Sequence, residues 1–200
     1  MPASAALLVT GALALALASI LTPTGSSDAD TLRLVQQHDG RWLAAAATYF
    51  IASVALTLGL PSVLTLFRSG GRRIALGSTV ALATGFVGVA GYAMLIVFFR
   101  AMVVTDAIRD QAFDELVHEA GLEAFLYAWI AAFYLGELLL AIALLCSDEP
   151  RWIPTLLILH VLSLPVGAML DDSVSKVLVF LMVFGFSGLG IRAAEPVRGA

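Results

Sequence analysis

Residues 123–146 read EAFLYAWIAAFYLGELLLAIALLC, and this stretch decides the class of fold. After its first residue, Glu137 is the only charged side chain in the run. About 20 apolar residues are enough for a helix to cross the hydrocarbon of a bilayer. Because lipid offers no hydrogen-bond partners, the backbone of such a segment must bond to itself, as it does in a helix. The stretch therefore predicts a membrane-spanning helix with one acidic group in its interior.

Five more apolar runs of this kind occur in the 200 residues. The six predicted spans cover approximately residues 5–21, 43–67, 74–99, 123–146, 152–170 and 173–191. Longer polar connections cover residues 23–42 and 100–122. The alternation typical of membrane β-strands is missing from the sequence. We therefore predict an all-α fold, a polytopic integral membrane bundle that forms a single domain over residues 1–200.

The composition excludes several classes of protein. Hydrophobic residues make up 60% of the chain and charged residues 13%, against roughly 45–50% and about 25% in soluble domains. A soluble globule of this size needs more polar surface, and a net charge of −4 argues against nucleic-acid binding. One cysteine excludes an internal disulfide and a cysteine-based zinc site. The histidines show no metal-ligand spacing, so we expect no metal and no cofactor.

The distribution of arginine predicts the orientation of the chain. Short cytoplasmic loops carry an excess of Lys and Arg. The turn 68–73 contains three arginines in six residues, and placing it in the cytoplasm also places both chain termini there. We therefore predict a multi-pass protein of the plasma membrane with cytoplasmic N- and C-termini. Residues 1–27 have an alternative interpretation as a cleaved signal peptide, which would leave five spans.

Two ionisable residues, Glu137 and His160, are predicted to meet inside the bundle. The turn between the fourth and fifth spans is centred between Asp148 and Glu149, so these spans form an antiparallel hairpin. Glu137 and His160 each lie 11.5 residues from that centre, or about 17 Å along a helix. An ionisable group at such depth costs at least ~2.5–3.5 kcal/mol, so it needs a partner. The equal depths predict a Glu–His contact near mid-membrane.

This polar centre has two interpretations. As a functional site it would bind a proton or orient a ligand, because a buried carboxylate and imidazole influence each other's protonation. As a structural feature it is a hydrogen-bonded clasp that fixes the register of two helices. Tyr92, Tyr127 and Tyr134 are candidates to extend the centre in either case.

Three features are predicted on the outer side. Asp172 and Lys176, spaced i and i+4 at the start of the last span, predict an ion pair on one helix face. A short helix is expected over residues 28–38, ended by Asp39-Gly40. Residues 104–119 predict either an amphipathic helix on the outer surface or a simple connector.

Small residues recur along the third span. Gly77, Ala81 and Gly85 repeat every four residues, and Gly88 follows them. A face of this kind lets another helix approach closely. We therefore predict a helix-packing role for these residues, and a homo-oligomer or a membrane-protein partner that packs on this face.

The layout resembles bacterial, especially actinobacterial, multi-span proteins of the "domain of unknown function 4386" type. The features that carry the resemblance are residues 40–43 (GRWL), the arginine-bearing turn 68–73, the tyrosine-containing span 127–146 and the span entry 150–154 (PRWIP). The resemblance covers residues 30–192. It implies a multi-span membrane fold. That family has no established activity, so the resemblance implies no catalytic residues.

Three functions from different classes are compatible with this sequence. We expect a non-enzymatic membrane protein with an accessory, sensory or structural role and a buried Glu137–His160 centre. The first alternative is a small-molecule or proton-coupled transporter that uses this centre. The second is an intramembrane enzyme or a pigment- or cofactor-binding protein, for which the sequence offers only isolated polar residues. A closed bundle with Glu137 bonded to His160 would favour the structural interpretation.

Overall fold

The computed structural model describes most of the chain as helix. The residues described are 2–23, 25, 28–67, 71–108, 115, 118–167 and 172–195, and for residues 28, 29, 165–167 and 172–175 the backbone alone is described. Within these ranges the regular structure is entirely helical. The helices with described bounds are α1 (Pro2–Leu21), α2 (Asp28–Gln37), α3 (Asp39–Leu64), α4 (Arg72–Val104), α5 (Ala120–Leu145), α6 (Trp152–Gly167) and α7 (Asp172–Ala194). The predicted all-α class is therefore confirmed for the described part of the chain.

Five of these helices are long and apolar enough to cross a membrane: α1, α3, α4, α5 and, within α7, residues Lys176–Ala194. The described apolar part of α6 is shorter and covers Trp152–Leu164. With 16 described residues, α6 measures about 24 Å, which is less than the hydrocarbon thickness of roughly 30 Å. The structure is thus consistent with a multi-pass membrane protein.

The short helix α2 is present, but its end differs from the prediction. Asp39-Gly40 does not terminate it; α2 ends at Gln37 and the next helix begins at Asp39. The reason is electrostatic, because a carboxylate in the first turn is favourable at a helix N-terminus. Asp39 also forms an ion pair with Arg100 of α4. Half of the residues 104–119, over which a helix or connector is predicted, lie outside the described residues; of the others, Val104 ends α4 and residues 105–108 are not helical.

Sequential helices pack side by side. The predicted hairpin partners α5 and α6 are in contact, and so are α3 with α4 and α6 with α7, which are also joined by short connections. Three further contacts close a circuit: α4 packs on α5, and α1 packs on both α3 and α7. Because α3 and α7 also touch each other, α1 lies along the groove between them. The helices of this circuit run up and down in alternation; for example, Gly11 lies against Leu56 while Gly59 lies against Leu8.

The bundle has two chemically distinct ends. At the terminal end, where α1 begins and α7 ends, Gly190 lies against Ala5. There, Nε of Arg192 lies 2.8 Å from Oε2 of Glu149 and ties α7 to the α5–α6 turn. At the opposite end, the α2 end, Arg41 donates hydrogen bonds of 2.8 and 2.9 Å to the last carbonyl oxygens of α1.

An ion pair is predicted between Asp172 and Lys176. The side chain of Asp172 lies outside the described residues, so this pair stays a prediction. Lys176 itself lies at the α2 end, where its Nζ donates a 3.4 Å hydrogen bond to the carbonyl oxygen of Thr22. This contact joins the start of α7 to the end of α1.

An aromatic cluster fills the centre of the bundle. The ring of Phe86 lies 5.8 Å from that of Phe133 and 6.3 Å from that of Phe186, which brings α4, α5 and α7 together. All three side chains are buried. The surrounding core consists mainly of leucine, alanine and valine from α1 and α3 to α7, with Ile153 and Met182.

The small-residue face of α4 packs mainly inside the chain. A Cβ built on Gly85 would lie 2.6 Å from Cβ of Phe133, and one built on Gly88 would lie 2.4 Å from Cβ of Trp129. Ala81 lies against Gly136. These three positions seat α5, whereas Gly77 is exposed with nothing near it. A partner protein or second copy that packs on this face of α4 remains a prediction. Of the four small residues, Gly77 is the one that is free to contact it.

Candidate functional site

The structure brings Glu137 and His160 together. Nδ1 of His160 lies 2.8 Å from Oε2 of Glu137. The exposed fraction is 0% for Glu137 and 4% for His160. Glu137 lies eight residues before the end of α5 at Leu145, and His160 lies eight residues after the start of α6 at Trp152. The contact is the one that the register of the α5–α6 hairpin predicts, about 12 Å from the turn.

Two aromatic rings hold the imidazole in place. The ring of Tyr134 stacks on that of His160 at 5.5 Å, with an angle of 28° between the planes. The ring of Phe133 approaches the imidazole edge-on at 6.3 Å. Tyr134 is three residues before Glu137, and residues at this spacing share one helix face. One face of α5 therefore supplies both the carboxylate and the stacking partner.

The other two predicted tyrosines lie away from this centre. Tyr127 is ten residues before Glu137 on α5, about 15 Å along the axis, and it is exposed. Tyr92 lies near the level of Phe125, because Gly91, its neighbour in α4, lies against that ring. Tyr92 and Tyr127 therefore do not contact Glu137 or His160, and their part in the centre stays a prediction.

Only one of the two carboxylate oxygens of Glu137 has a hydrogen-bond partner among the described residues. Among the described residues, Oε1 of Glu137 is buried and has no hydrogen-bond partner. An unpartnered buried polar atom costs about 1–3 kcal/mol. The 2.8 Å contact at Oε2 forms whether the imidazole or the carboxyl group donates the hydrogen. The pair can thus hold one shared proton at Oε2, and Oε1 is the atom that can accept another.

A second polar cluster was missed by the sequence analysis. The rings of Tyr49 and Tyr92 lie 5.4 Å apart, and Trp129 follows at 6.2 Å from Tyr92. The register rule used for α5 and α6 would have found the first of these contacts. Tyr49 and Tyr92 are nearly equidistant from the centre of the turn 68–73. Nε1 of Trp129 is buried and has no partner among the described side chains.

Buried serines add further cross-links that sequence patterns do not reveal. The hydroxyl of Ser78 donates a 2.8 Å hydrogen bond to the carbonyl oxygen of Gly136, and that of Ser53 donates to the carbonyl oxygen of Phe86. These bonds fix α4 against α5 and α3. They satisfy the hydroxyl groups, so neither serine is an available nucleophile.

The described side chains contain no group of three or more His, Cys, Asp or Glu residues that could hold a metal ion. The site therefore consists of one acid, one imidazole and the aromatic rings around them. The resemblance to the domain of unknown function 4386 type remains an expectation. Comparison of the chain with protein-family models, with curated proteins and with solved structures gives no match.

Proposed function

We propose that this chain is a six-span, non-enzymatic protein of the plasma membrane, with an accessory, sensory or structural role, in which Glu137 and His160 form an interhelical clasp. The observation that carries the proposal is the burial of both side chains, which contact each other at 2.8 Å. The clasp fixes the register of α5 against α6. The rings that contact the imidazole are those of Tyr134 and Phe133.

The sixth span is supported by the direction of the helices. Gly185 and Gly188 of α7 lie against Leu157 and Ile153 of α6, so these helices are antiparallel. The 2.8 Å contact across the α5–α6 hairpin makes α6 antiparallel to α5 as well. Because α5 and α7 run the same way, the chain must return across the same depth through α6. The predicted span 152–170 is long enough for this crossing.

A proton-coupled transporter is the second candidate, and the free oxygen of Glu137 is the observation that favours it. A carboxylate used only as a clasp gains stability when both oxygens are bonded. Intramembrane acids that take part in proton relays need an oxygen that can accept a proton. Oε1 of Glu137 meets this requirement within the described structure.

A double-mutant cycle tests the clasp. The variants are Glu137→Gln, His160→Gln and the combination, each unfolded in lipid nanodiscs. Each single change should lower the free energy of unfolding by about 1–3 kcal/mol, because it leaves the other polar group buried with a weaker partner. The double variant should lose less than the sum, with a coupling of about 0.5–2 kcal/mol.

Ser163→Ala is the matched control for this cycle. Its hydroxyl bonds to the carbonyl oxygen of His160 within the same helix, at 2.6 Å. Its removal should leave the coupling between Glu137 and His160 unchanged. Single effects that add to within about 0.5 kcal/mol would contradict the clasp.

A further inference from the structure

The level of Glu137 and His160 divides the bundle into two halves that are packed differently. In α5, every buried residue lies at Phe133 or later. In α6, among the side chains described, every buried residue lies at His160 or earlier. In α7, over Lys176–Ala194, burial begins at Met182. Gly185 lies against Leu157, which places Met182 level with His160. On α5, α6 and α7, the buried side chains therefore all lie at the level of the pair or closer to the terminal end, among those described.

The half toward the terminal end, which we call the closed half, is mainly apolar and fully packed, and its buried Ser62 and Ser78 hydroxyls donate to backbone carbonyl oxygens. Its inward-facing side chains include Leu140, Leu144, Leu157, Phe186 and Leu189, each with an exposed fraction of 0%. A layer of this density excludes water. A proton cannot cross it without a polar relay, and these five side chains provide none.

In the half toward the α2 end, which we call the open half, α5, α6 and α7 are loosely packed, whereas α2, α3 and α4 form a second buried cluster there that includes Val35, Trp42 and Ile96. Ile130, Ser163 and Val179 continue the buried faces of α5, α6 and α7 toward the α2 end, and all three are partly exposed. Ile130 is seven residues before Glu137, a spacing that returns to the same helix face. Access to the pair is therefore easier from this end than from the other.

A chain of polar groups from four helices and from Thr22, which follows α1, lies in the open half. Nζ of Lys176 donates to the carbonyl oxygen of Thr22. The Thr22 hydroxyl donates to the carbonyl oxygen of Ala18 at 2.9 Å, and the hydroxyl of Tyr49 lies 3.5 Å from that of Thr22. The ring of Tyr49 contacts Tyr92, and the ring of Tyr92 contacts Trp129. The open half thus adds hydroxyl and indole groups, whereas the five closed-half side chains named above are leucine and phenylalanine.

Two unpartnered polar atoms mark the route between these groups and the pair. Nε1 of Trp129 is a buried donor and Oε1 of Glu137 a buried acceptor, and among the described residues neither has a partner. They lie on the same helix, eight residues or about 12 Å apart along its axis. Tyr134 lies between them, partly exposed.

We propose that the Glu137–His160 pair is a proton-binding site that water reaches from the α2 end alone. A hydronium ion gives one proton to Oε1 of Glu137 and leaves as water. Nδ1–H of His160 then donates to Oε2, so the pair changes from net neutral to a single positive charge. This site goes beyond the clasp, because it assigns a ligand and a direction of access to the same residues.

Few other ionisable groups face the pair. On α4, packed against α5, residues 74–99 carry no charge. On α7, packed against α6, Lys176 lies six residues from Met182 toward the α2 end, and Arg192 ten residues toward the terminal end. These distances are about 9 and 15 Å along the axis. Besides Glu137, Tyr134 of α5 is, among the described residues, the titratable side chain that contacts His160, and Tyr92 of α4 contacts Tyr49 and Trp129 instead.

Cysteine accessibility tests the direction of access. Single cysteines are introduced after Cys146→Ser removes the only native thiol. Ile130→Cys and Ser163→Cys report on the open half, and Ala141→Cys, on the Glu137 face but in the closed half, is the matched control. A charged, membrane-impermeant methanethiosulfonate is applied to intact cells and to inverted vesicles.

We expect Ile130→Cys and Ser163→Cys to react from the α2 side, about tenfold or more faster than Ala141→Cys from either side, because only a hydrated thiol ionises readily. Reaction of the open-half cysteines with a lipid-soluble maleimide alone would show that lipid fills this region, and would overturn the proposal. Reaction of Ala141→Cys from the terminal side would overturn the one-sided access.

Infrared difference spectroscopy tests the proton. Acidification of the wild-type protein in lipid should produce the carbonyl band of a protonated carboxyl group, shifted in heavy water, which Glu137→Gln lacks. A spectrum of wild type that equals that of Glu137→Gln at every pH would refute proton binding. If the clasp proposal alone is wrong, the changes in unfolding free energy of Glu137→Gln and His160→Gln will be additive. The infrared band and the pattern of cysteine labelling will then still be as expected here.

Discussion

Glu119 and Glu137 lie 18 residues apart, and their surroundings give them opposite roles. Glu119 is exposed at the N-cap of α5, where its carboxylate accepts a 2.7 Å hydrogen bond from the backbone N–H of Leu122. Glu137 is fully buried and depends on one imidazole. A carboxylate at a helix N-terminus is supported by the backbone, whereas one inside the bundle needs another side chain.

The cap of Glu119 predicts a local pH dependence. Hydrogen bonds from the backbone of Gly121 and Leu122 hold the pKa of Glu119 below its ordinary value of 4.5. Because the pKa is lowered in the folded state, the cap stabilises α5 above pH 4.5 and is lost as the pH falls through the lowered value. Amide hydrogen exchange at the start of α5 should therefore accelerate on acidification.

Glu119→Gln is the control for this prediction. Glutamine keeps a side-chain acceptor but does not titrate, so the exchange of Leu122 should lose its extra dependence on acid. Equal acid responses of the wild type and Glu119→Gln would contradict the assignment of the cap.

At the scale of elements, glycines decide how closely the helices approach. Gly85 and Gly77 belong to one small-residue stripe of α4, yet only Gly85 lies against a neighbouring helix. The four-residue spacing of these small residues predicted the stripe from the sequence. Which of its members contact α5 depends on the rotation of α4, and rotation follows from the packing of all neighbours together.

Gly85→Ala and Gly77→Ala form a matched pair. The added methyl group at Gly85 would lie 2.7 Å from the backbone Cα of Phe133, so α5 must shift. We expect a loss of about 1–3 kcal/mol of unfolding free energy, as for other overpacked sites. Gly77→Ala meets nothing within 4 Å and should be neutral or stabilise by up to about 1 kcal/mol.

Thermal unfolding in nanodiscs compares the two glycine variants directly. A midpoint for Gly85→Ala at or above that of Gly77→Ala would show that α4 and α5 are not in close contact there. The comparison cancels the helix propensity of alanine, because both positions are inside the same helix.

Sequence register succeeded where the turn was short and failed where the connection was long. The α5–α6 turn spans six residues, 146–151, and it predicted the Glu137–His160 contact. The packing of α1 on α3 and α7 was not predicted, because nothing in a long polar connection fixes which helices meet. The free Oε1 of Glu137 was also unpredictable, since satisfaction of an atom depends on every neighbour.

At the scale of the whole molecule, a different ion pair links the elements at each end of the bundle. Glu149 and Arg192 link a turn to the last helix at the terminal end. Asp39 and Arg100 link α3 to α4 at the α2 end. Both ion pairs are partly exposed, where such pairs contribute at most about 1 kcal/mol. The fold therefore rests on apolar packing, and these charges lie at the two ends of the bundle.

The orientation predicted from the arginines can be checked with two cysteines. Cys146 is exposed beside the α5–α6 turn at the terminal end. Thr105 is exposed at the end of α4, at the α2 end. If the termini are cytoplasmic, an impermeant maleimide should label Cys146 only after the cells are permeabilised. The same reagent should label Thr105→Cys, in a Cys146→Ser background, in intact cells. The reverse pattern would invert the predicted topology.

The sequence by itself determined that the chain is helical, built of long apolar segments, and that one acid and one imidazole lie at the same depth. These properties follow from composition, run length and short turns, which are local. The tertiary structure decided which helices meet, which glycines are covered and which oxygen of Glu137 has no partner among the described residues. It also decided that burial ends at the level of the pair on three helices. Such facts depend on the rotation and tilt of each helix, which only the simultaneous packing of all of them fixes.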